Sequence, residues 1–226
     1  MRINKYLALA TGISRRTADR VIAAGRVSIN GNPANLGFDV SETDNVRLDD
    51  RLIDSKVALT KPELVTIMLY KPVGYVVSRN GQGSKTVYDL LPSKYHHLKP
   101  IGRLDKNSSG LLLLTNDGQL AFQLTHPSKH KTKVYEIALD KKLISSHQQM
   151  INRGGVMLED GLSRLTLQGP LDEASKHWRV VMHEGRNRQI RRTFQHLGYK
   201  VIAIHRTAFG DYRLGDLSTG HIKIYA

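Results

Sequence analysis

Three stretches of the 226-residue chain carry side chains that could do chemistry. The first is Gly102-Arg103-Leu104-Asp105-Lys106-Asn107-Ser108-Ser109-Gly110, which leads into Leu111-Leu112-Leu113-Leu114 and then Asn116-Asp117-Gly118. Four successive leucines make a strand buried on both faces, and Asn-Asp-Gly ends it with turn chemistry. A carboxylate in the loop ahead of such a strand is held against a rigid wall, where reactive groups tend to sit. On the residues alone, Asp105 reads as a catalytic carboxylate, an ion-pair partner or a loop cap. The second stretch, Lys133-Val134-Tyr135-Glu136-Ile137, puts an aromatic face and a hydroxyl on a strand; Tyr135 is either a ligand wall or a half-buried strand residue. The third, Glu184-Gly185-Arg186-Asn187-Arg188-Gln189-Ile190-Arg191-Arg192, is either a binding cluster or a basic surface helix.

Other signals lead nowhere chemical. The chain has no cysteine, which removes thiolate nucleophiles, disulfides and cysteine zinc sites. Among ten histidines, His126 and His130 are four apart, but Pro127 lies between them and no acid is placed as a metalloprotease helix requires. The adjacent His96 and His97 point in different directions. No metal site is expected. Asp105, Asp117, Glu159 and Asp160 fall in separate loops, which argues against a metal-dependent nuclease. Gly81-Gln82-Gly83-Ser84-Lys85-Thr86 lacks the order of a phosphate loop and no long helix follows it.

The elements that position these groups follow from periodicity and turn residues. Strands are predicted at 66–70, 75–78, 98–104, 111–115, 134–139, 165–167, 178–182 and 200–204, with Trp178, Val180 and Met182 facing the core. Helices are predicted at 119–125, 145–152 and 187–197, the last with Asn187 as N-cap, an Ile190, Phe194 and Leu197 stripe, and Gly198 at its end. Many strands with few helices give an α+β fold with a mixed or antiparallel sheet and flanking helices; a doubly wound parallel fold does not fit. Residues 1–60 form a smaller unit. A helix spans roughly 5–10, and Ser14 caps a second, on which Ala18, Val21 and Ile22 form the apolar stripe and Arg15, Arg16 and Arg20 project elsewhere. Gly25 suits its left-handed end. Val27-Ser28-Ile29 then enters an Asn30-Gly31 hairpin, with a partner strand at 46–48. A linker is expected at about 54–63, and the larger domain at 61–226.

The net charge is +14, and it is clustered. Residues 1–30 hold six basic side chains against Asp19 alone, and residues 176–213 hold nine against two. Such patches suit a polyanion, since Lys and Arg that displace counterions from phosphates gain free energy whatever the base sequence. No apolar run approaches the roughly 20 residues of a membrane helix. The N-terminus lacks a secretion signal, so a cytoplasmic protein without membrane attachment is expected.

The first unit resembles the small RNA-binding S-four domain through Asn4-Lys5-Tyr6-Leu7, Ser14-Arg15-Arg16, Ala24-Gly25-Arg26-Val27 and Ile29-Asn30-Gly31. That resemblance implies RNA contact by Arg15, Arg16, Arg20 and Arg26. The larger domain is similar to the RNA pseudouridine synthases, specifically the bacterial ribosomal group with an N-terminal S-four domain. The match runs through Gly102 to Leu114, with Ser108 in a Thr/Ser place, then Lys133-Val134-Tyr135, then Glu184 to Arg192, and also Lys71-Pro72-Val73-Gly74-Tyr75. It implies that Asp105 is the nucleophile, that Tyr135 lies against the target uracil, and that Arg191 pairs with the aspartate. Arg103 would hold the flipped nucleotide, and Lys71, Arg186, Arg188 and Gln189 would bind substrate RNA. Arg188 departs from the wider superfamily, in which many members have His. The resemblance further implies isomerisation of uridine in ribosomal RNA by a monomer, with no redox step, activated water or cofactor. His126-Pro127 favours large-subunit over small-subunit RNA. A non-catalytic ribosome-assembly factor would explain the charge but not the joint presence of Asp105, Tyr135 and Arg191.

Overall fold

The computed structural model describes residues 1–54 and 63–225. Its contacts divide the chain into two units, Met1–Glu63 and Leu64–Ala226. Nearly all of the linker expected at 54–63 lies outside the described residues.

In the first unit, helix α1 (Ile3–Thr11) precedes α2 (Arg15–Ala23). Ser14 caps α2 by accepting from Thr17 N at 3.0 Å. The helix ends as its glycine demands: Gly25 adopts φ +71°, its N–H donates to Ile22 O, and Arg26 N donates to Val21 O, which is a Schellman closure. Strand β1 (Val27–Ile29) turns into β2 (Asn32–Pro33) through Asn30 and Gly31, both at positive φ, as a type I′ turn needs. With β3 (Val46–Leu48) and β4 (Arg51–Leu52) they form an antiparallel sheet in the order β2-β1-β3-β4. Ile3, Tyr6, Leu7, Ala18, Ile22 and Val46 close its core.

The second unit is built on one mixed sheet. Its strands are β5 (Thr66–Lys71), β6 (Lys99–Ile101), β7 (Ser109–Thr115), β8 (Lys133–Leu139), β11 (Thr166–Gln168), β12 (His177–Met182), β13 (Val201–Phe209), β14 (Tyr212–Arg213) and β15 (Ile222–Tyr225). The main order is β11-β12-β8-β13-β7-β5-β15, with β6 beside β7 and β14 beside β13. Among the described residues its pairings are antiparallel except β13 with β7, a short parallel register of His205 with Ser109 and Arg206 with Gly110. A separate hairpin joins β9 (Val156–Leu158) to β10 (Gly161–Ser163). The helices are α3 (Gly118–Thr125), α4 (Ser145–Arg153) and α5 (Gln189–His196).

Leu111 to Leu114 have no exposed surface, and they feed opposite sides of the sheet in turn. Leu112 and Leu114 pack with Tyr135, Ile137, Val180, Ile190 and Phe194. Leu111 and Leu113 pack with Met68, Ile101, Leu124 and Phe209. Burial of this order, about 2 kcal/mol per leucine, anchors β7 on both faces and makes its N-terminal end a rigid support. Trp178 is 2% exposed within the first of these clusters, and its indole donates to Ser175 O at 3.0 Å.

Two predicted strands are cut short. Residues 75–78 contribute only an isolated bridge, Val76 with Thr86, because the chain bends away after one pairing. The strand predicted at 98–104 stops at Ile101: Gly102 takes φ +73°, a left-handed turn that leaves 102–108 as a loop. Helix α5 starts two residues later than predicted. Its N-cap is Arg188, in the left-handed region at φ +47°, ψ 31° with no side-chain cap, and not Asn187. Strands β4, β9, β10, β14 and β15 have no counterpart in the sequence prediction.

Candidate active site

The loop 102–108 lies at the N-terminal end of β7 and is gripped from beneath. Lys71, the last residue of β5, has no exposed surface. Its ammonium donates to Ser108 O at 2.6 Å, Pro72 O at 3.0 Å and Asp105 O at 3.1 Å. Burial pulls its pKa down to about 8, a shift opposed by the charge of Asp105, so it remains an ammonium at neutral pH. Lys71 therefore holds the loop backbone, and the direct RNA contact expected of it is corrected: nothing of it reaches the surface. Ser108 N donates back to Asp105 O at 3.0 Å and Gly74 N to Lys106 O at 2.8 Å.

The loop leaves through Gly110, at φ +106°. A Cβ there would lie 2.3 Å from Arg206 O and 2.5 Å from Arg206 N, so β7 and β13 can approach only because residue 110 has no side chain. The close seam brings β13 and its neighbour β8, which carries Tyr135, alongside the loop.

The resulting pocket is lined by Arg103, Leu104, Asp105 and Ser108 of the loop, Tyr135 of β8, Met182 of β12, Arg188, Gln189, Ile190 and Arg191 around the start of α5, and Ile204 of β13. It is about 90 Å³ in volume. Asp105, Tyr135, Arg103, Arg188, Gln189 and Arg191 are thus brought together from positions up to 88 apart in sequence (103 to 191).

The arginines divide the work differently from the sequence expectation. The ion pair with Asp105 is made by Arg188, whose Nη1 lies 3.6 Å from Oδ2, with both side chains partly exposed. Arg191 points its guanidinium at backbone, donating from Nη1 to Val201 O at 2.6 Å and from Nη2 to Asn107 O at 3.0 Å. It bridges the loop to the start of β13, and no ion pair with the aspartate is formed. Burial first and then the charge of Arg188 weaken its hold on its proton, opposed by Asp105.

Other expected contacts are occupied within the protein. Arg186 Nη1 donates to Asp160 Oδ1 at 2.9 Å, Asp160 O at 2.8 Å and Gly161 O at 3.1 Å, and Arg192 makes a two-pronged pair with the same carboxylate at 2.9 and 2.8 Å. These donors, Arg192 foremost, hold the Asp160 carboxyl below the usual range. Gln189 is 2% exposed; its amide donates to Glu184 Oε1 and Ser163 Oγ, and its carbonyl accepts from Arg186 N. Arg186 and Gln189 therefore fasten α5 to the β9–β10 hairpin, where the sequence had them reaching for RNA. In the first unit, Arg15, Arg16 and Arg20 are exposed, whereas Arg26 is paired with Asp49 at 2.7 and 2.6 Å and so is held within the protein. The pairings made by Asp160 and Asp49 are what sequence reasoning missed, since neither stands near its arginine in the chain. No group of three or more His, Asp or Glu gathers as a metal site among the described residues.

A mixed sheet carries a loop carboxylate at the end of a buried strand, Tyr135 on β8 and an arginine-rich helix start around one pocket. Residues 65–196 match the family described as RNA pseudouridylate synthase, and residues 1–46 match the S4 domain. The chain belongs to the RNA pseudouridylate synthase family. Among individual proteins, it is 38% identical over 222 residues to the ribosomal large subunit pseudouridine synthase B of Xylella fastidiosa, covering 94% of this chain and 46% of that one. It is 37% identical over 219 residues to the protein of the same name from Salmonella typhimurium, covering 94% of this chain and 75% of that one. The chain thus spans about half the length of the first relative. A crystal structure of a pseudouridylate synthase superposes with a TM-score of 0.69 at 28% identity, covering 100% of this chain and 96% of the other. No helix among the described residues is long and apolar enough to cross a membrane.

Proposed function

We propose that the protein isomerises uridine to pseudouridine in ribosomal RNA of the large subunit, with Asp105 as the nucleophile. The observation that carries this reading is the placement of Asp105 on a braced loop, in one pocket with Tyr135, Arg188 and Arg191. The names of the relatives support the large-subunit RNA as substrate.

The chemistry breaks the bond from ribose C1′ to uracil N1, turns the base and rejoins it through C5. A base stacked in RNA is out of reach, so the nucleotide is flipped out at a cost of a few kcal/mol. Phosphate contacts from Arg103 at the pocket mouth and from the exposed arginines of α2 offset that cost. Asp105 attacks as the carboxylate, at the anomeric carbon or at the base. Tyr135 packs its ring against the uracil, and its hydroxyl relays the proton that leaves C5 by accepting it as it passes its own to solvent, while N1 of the detached base takes up a proton. Arg191 and Lys71 act through the loop, fixing where Asp105 stands.

The test is incubation with unmodified large-subunit ribosomal RNA transcript, followed by digestion to nucleosides. One nucleoside is expected to change its chromatographic mobility without changing mass. Bound but unaltered RNA would overturn the reading in favour of a binding factor, and shortened RNA in favour of a nuclease.

A further inference from the structure

Arg188 combines three properties found together nowhere else around the pocket. It is paired with Asp105 at 3.6 Å. Its guanidinium is about half exposed, with 52% of the side-chain surface accessible. Its backbone sits in the left-handed region at φ +47°, which costs a non-glycine residue energy and is retained where the geometry serves a purpose. The other cations of the helix start are fixed: Arg191 on two carbonyls, Arg186 and Arg192 on Asp160.

The pocket, about 90 Å³ and open to solvent, has the Arg188 guanidinium 3.6 Å from the Asp105 carboxylate on its lining. Arg191 does not need to move when the nucleotide enters. Arg188 does, and it can, because its partner contact is single, long and solvent-facing.

We propose that Arg188 is an exchangeable counter-ion. It neutralises Asp105 while the pocket is empty, and on nucleotide entry it leaves the carboxylate and binds a backbone phosphate flanking the flipped uridine. The exchange uncovers the nucleophile only when RNA supplies a replacement anion, so phosphate binding and nucleophile exposure are one event. Arg188 is thereby a substrate-binding residue and Arg191 a positioning residue. This inference rests on the function proposed above.

The experiment is a double-mutant cycle on RNA affinity, with the full chain and unmodified large-subunit ribosomal RNA transcript, for wild type, Asp105→Asn, Arg188→Gly and the double variant. Glycine suits the left-handed backbone, so removing the side chain relieves the backbone rather than straining it. If Asp105 competes with phosphate for Arg188, Asp105→Asn tightens binding about threefold in the presence of Arg188, the size an exposed ion pair supports, and not at all in its absence. Arg188→Gly also lowers the slope of log affinity on log salt by about one contact, and Arg188→Lys, which keeps the charge, restores the slope. Equal effects of Asp105→Asn with and without Arg188, or an unchanged salt slope in Arg188→Gly, would overturn the exchange. Product analysis of wild type on the same transcript reports separately on the isomerase reading, since the affinity cycle requires no turnover.

Discussion

The two arginine clusters of this protein look alike in sequence and differ in how their charge is used. On α2, Arg15, Arg16 and Arg20 stand exposed, with no side-chain hydrogen bond or ion pair among the described residues. Around the start of α5, every arginine has a partner: Arg186 and Arg192 share Asp160, Arg191 holds two carbonyls, and Arg188 holds Asp105. Free guanidinium groups on a helix act as diffuse positive potential, screened within about 8 Å at physiological salt. Groups bound to carbonyls and carboxylates act as struts. Under the proposed function, the first cluster attracts RNA and the second shapes the site where the RNA reacts.

The largest expected effect tests the second cluster through the group it frames. Asp105→Asn lowers pseudouridine formation by at least about 10⁴-fold, as loss of a nucleophile typically does, while RNA remains bound; nucleoside analysis beside a filter-binding titration checks both. Turnover retained in this variant would remove Asp105 from its role. Next is Lys71→Met, which leaves three close carbonyl oxygens without their donor in a buried place. It is expected to cost about 3 kcal/mol, read as a lowered urea midpoint, and to lower kcat.

A smaller effect tests the first cluster. Replacing Arg15, Arg16 and Arg20 together with alanine is expected to lower the slope of log affinity on log salt by about 2 and leave kcat on saturating RNA unchanged. If kcat falls instead, the division between attraction and shaping is wrong.

The pH dependence is smaller still. Lys71 titrates near 8 in the folded protein against 10.5 when exposed. Between those values the unfolded chain binds more protons than the native one, so this group's contribution to stability rises with pH across that window; below about 8 the cost of keeping a buried charge is fully present. Activity moves the other way, because the neutral amine has one donor fewer for the loop carbonyls. An activity profile that declines above about pH 8 while the unfolding midpoint does not decline on Lys71's account, and a flat profile for Lys71→Met relative to its own maximum, are expected. The smallest effect is that of Arg26→Ala, which leaves RNA affinity unchanged because Asp49 already holds that guanidinium.

Patterns with a short period were readable from sequence: the Ser14 cap, the Asn30-Gly31 hairpin, the leucine strand and the apolar stripe of α5 are set by neighbours in the chain. The position of Asp105 in a loop before a buried strand was readable for the same reason, and the role proposed for it came from the family resemblance. The fates of individual arginines were not, because they depend on acids far away in sequence: Asp160 stands 26 positions before Arg186 and Asp49 stands 23 after Arg26. Burial of Lys71 likewise depends on loop carbonyls 34 and 37 positions on. Arg188, the position at which the sequence departs from its wider superfamily, became informative only once its distance to Asp105 was known.

The parallel seam between β7 and β13 also sets a schedule. Ser109 and His205, joined at 2.9 Å, are 96 positions apart, and the loop 102–108 has no firm exit until that contact forms. Contacts of such long sequence separation close late in folding. On the ribosome, β13 emerges long after the loop, so a growing chain carries Asp105 for much of its synthesis without a site to hold it. The pocket is not assembled until β13 has been made, although the first unit, with the exposed arginines of α2, is synthesised long before it.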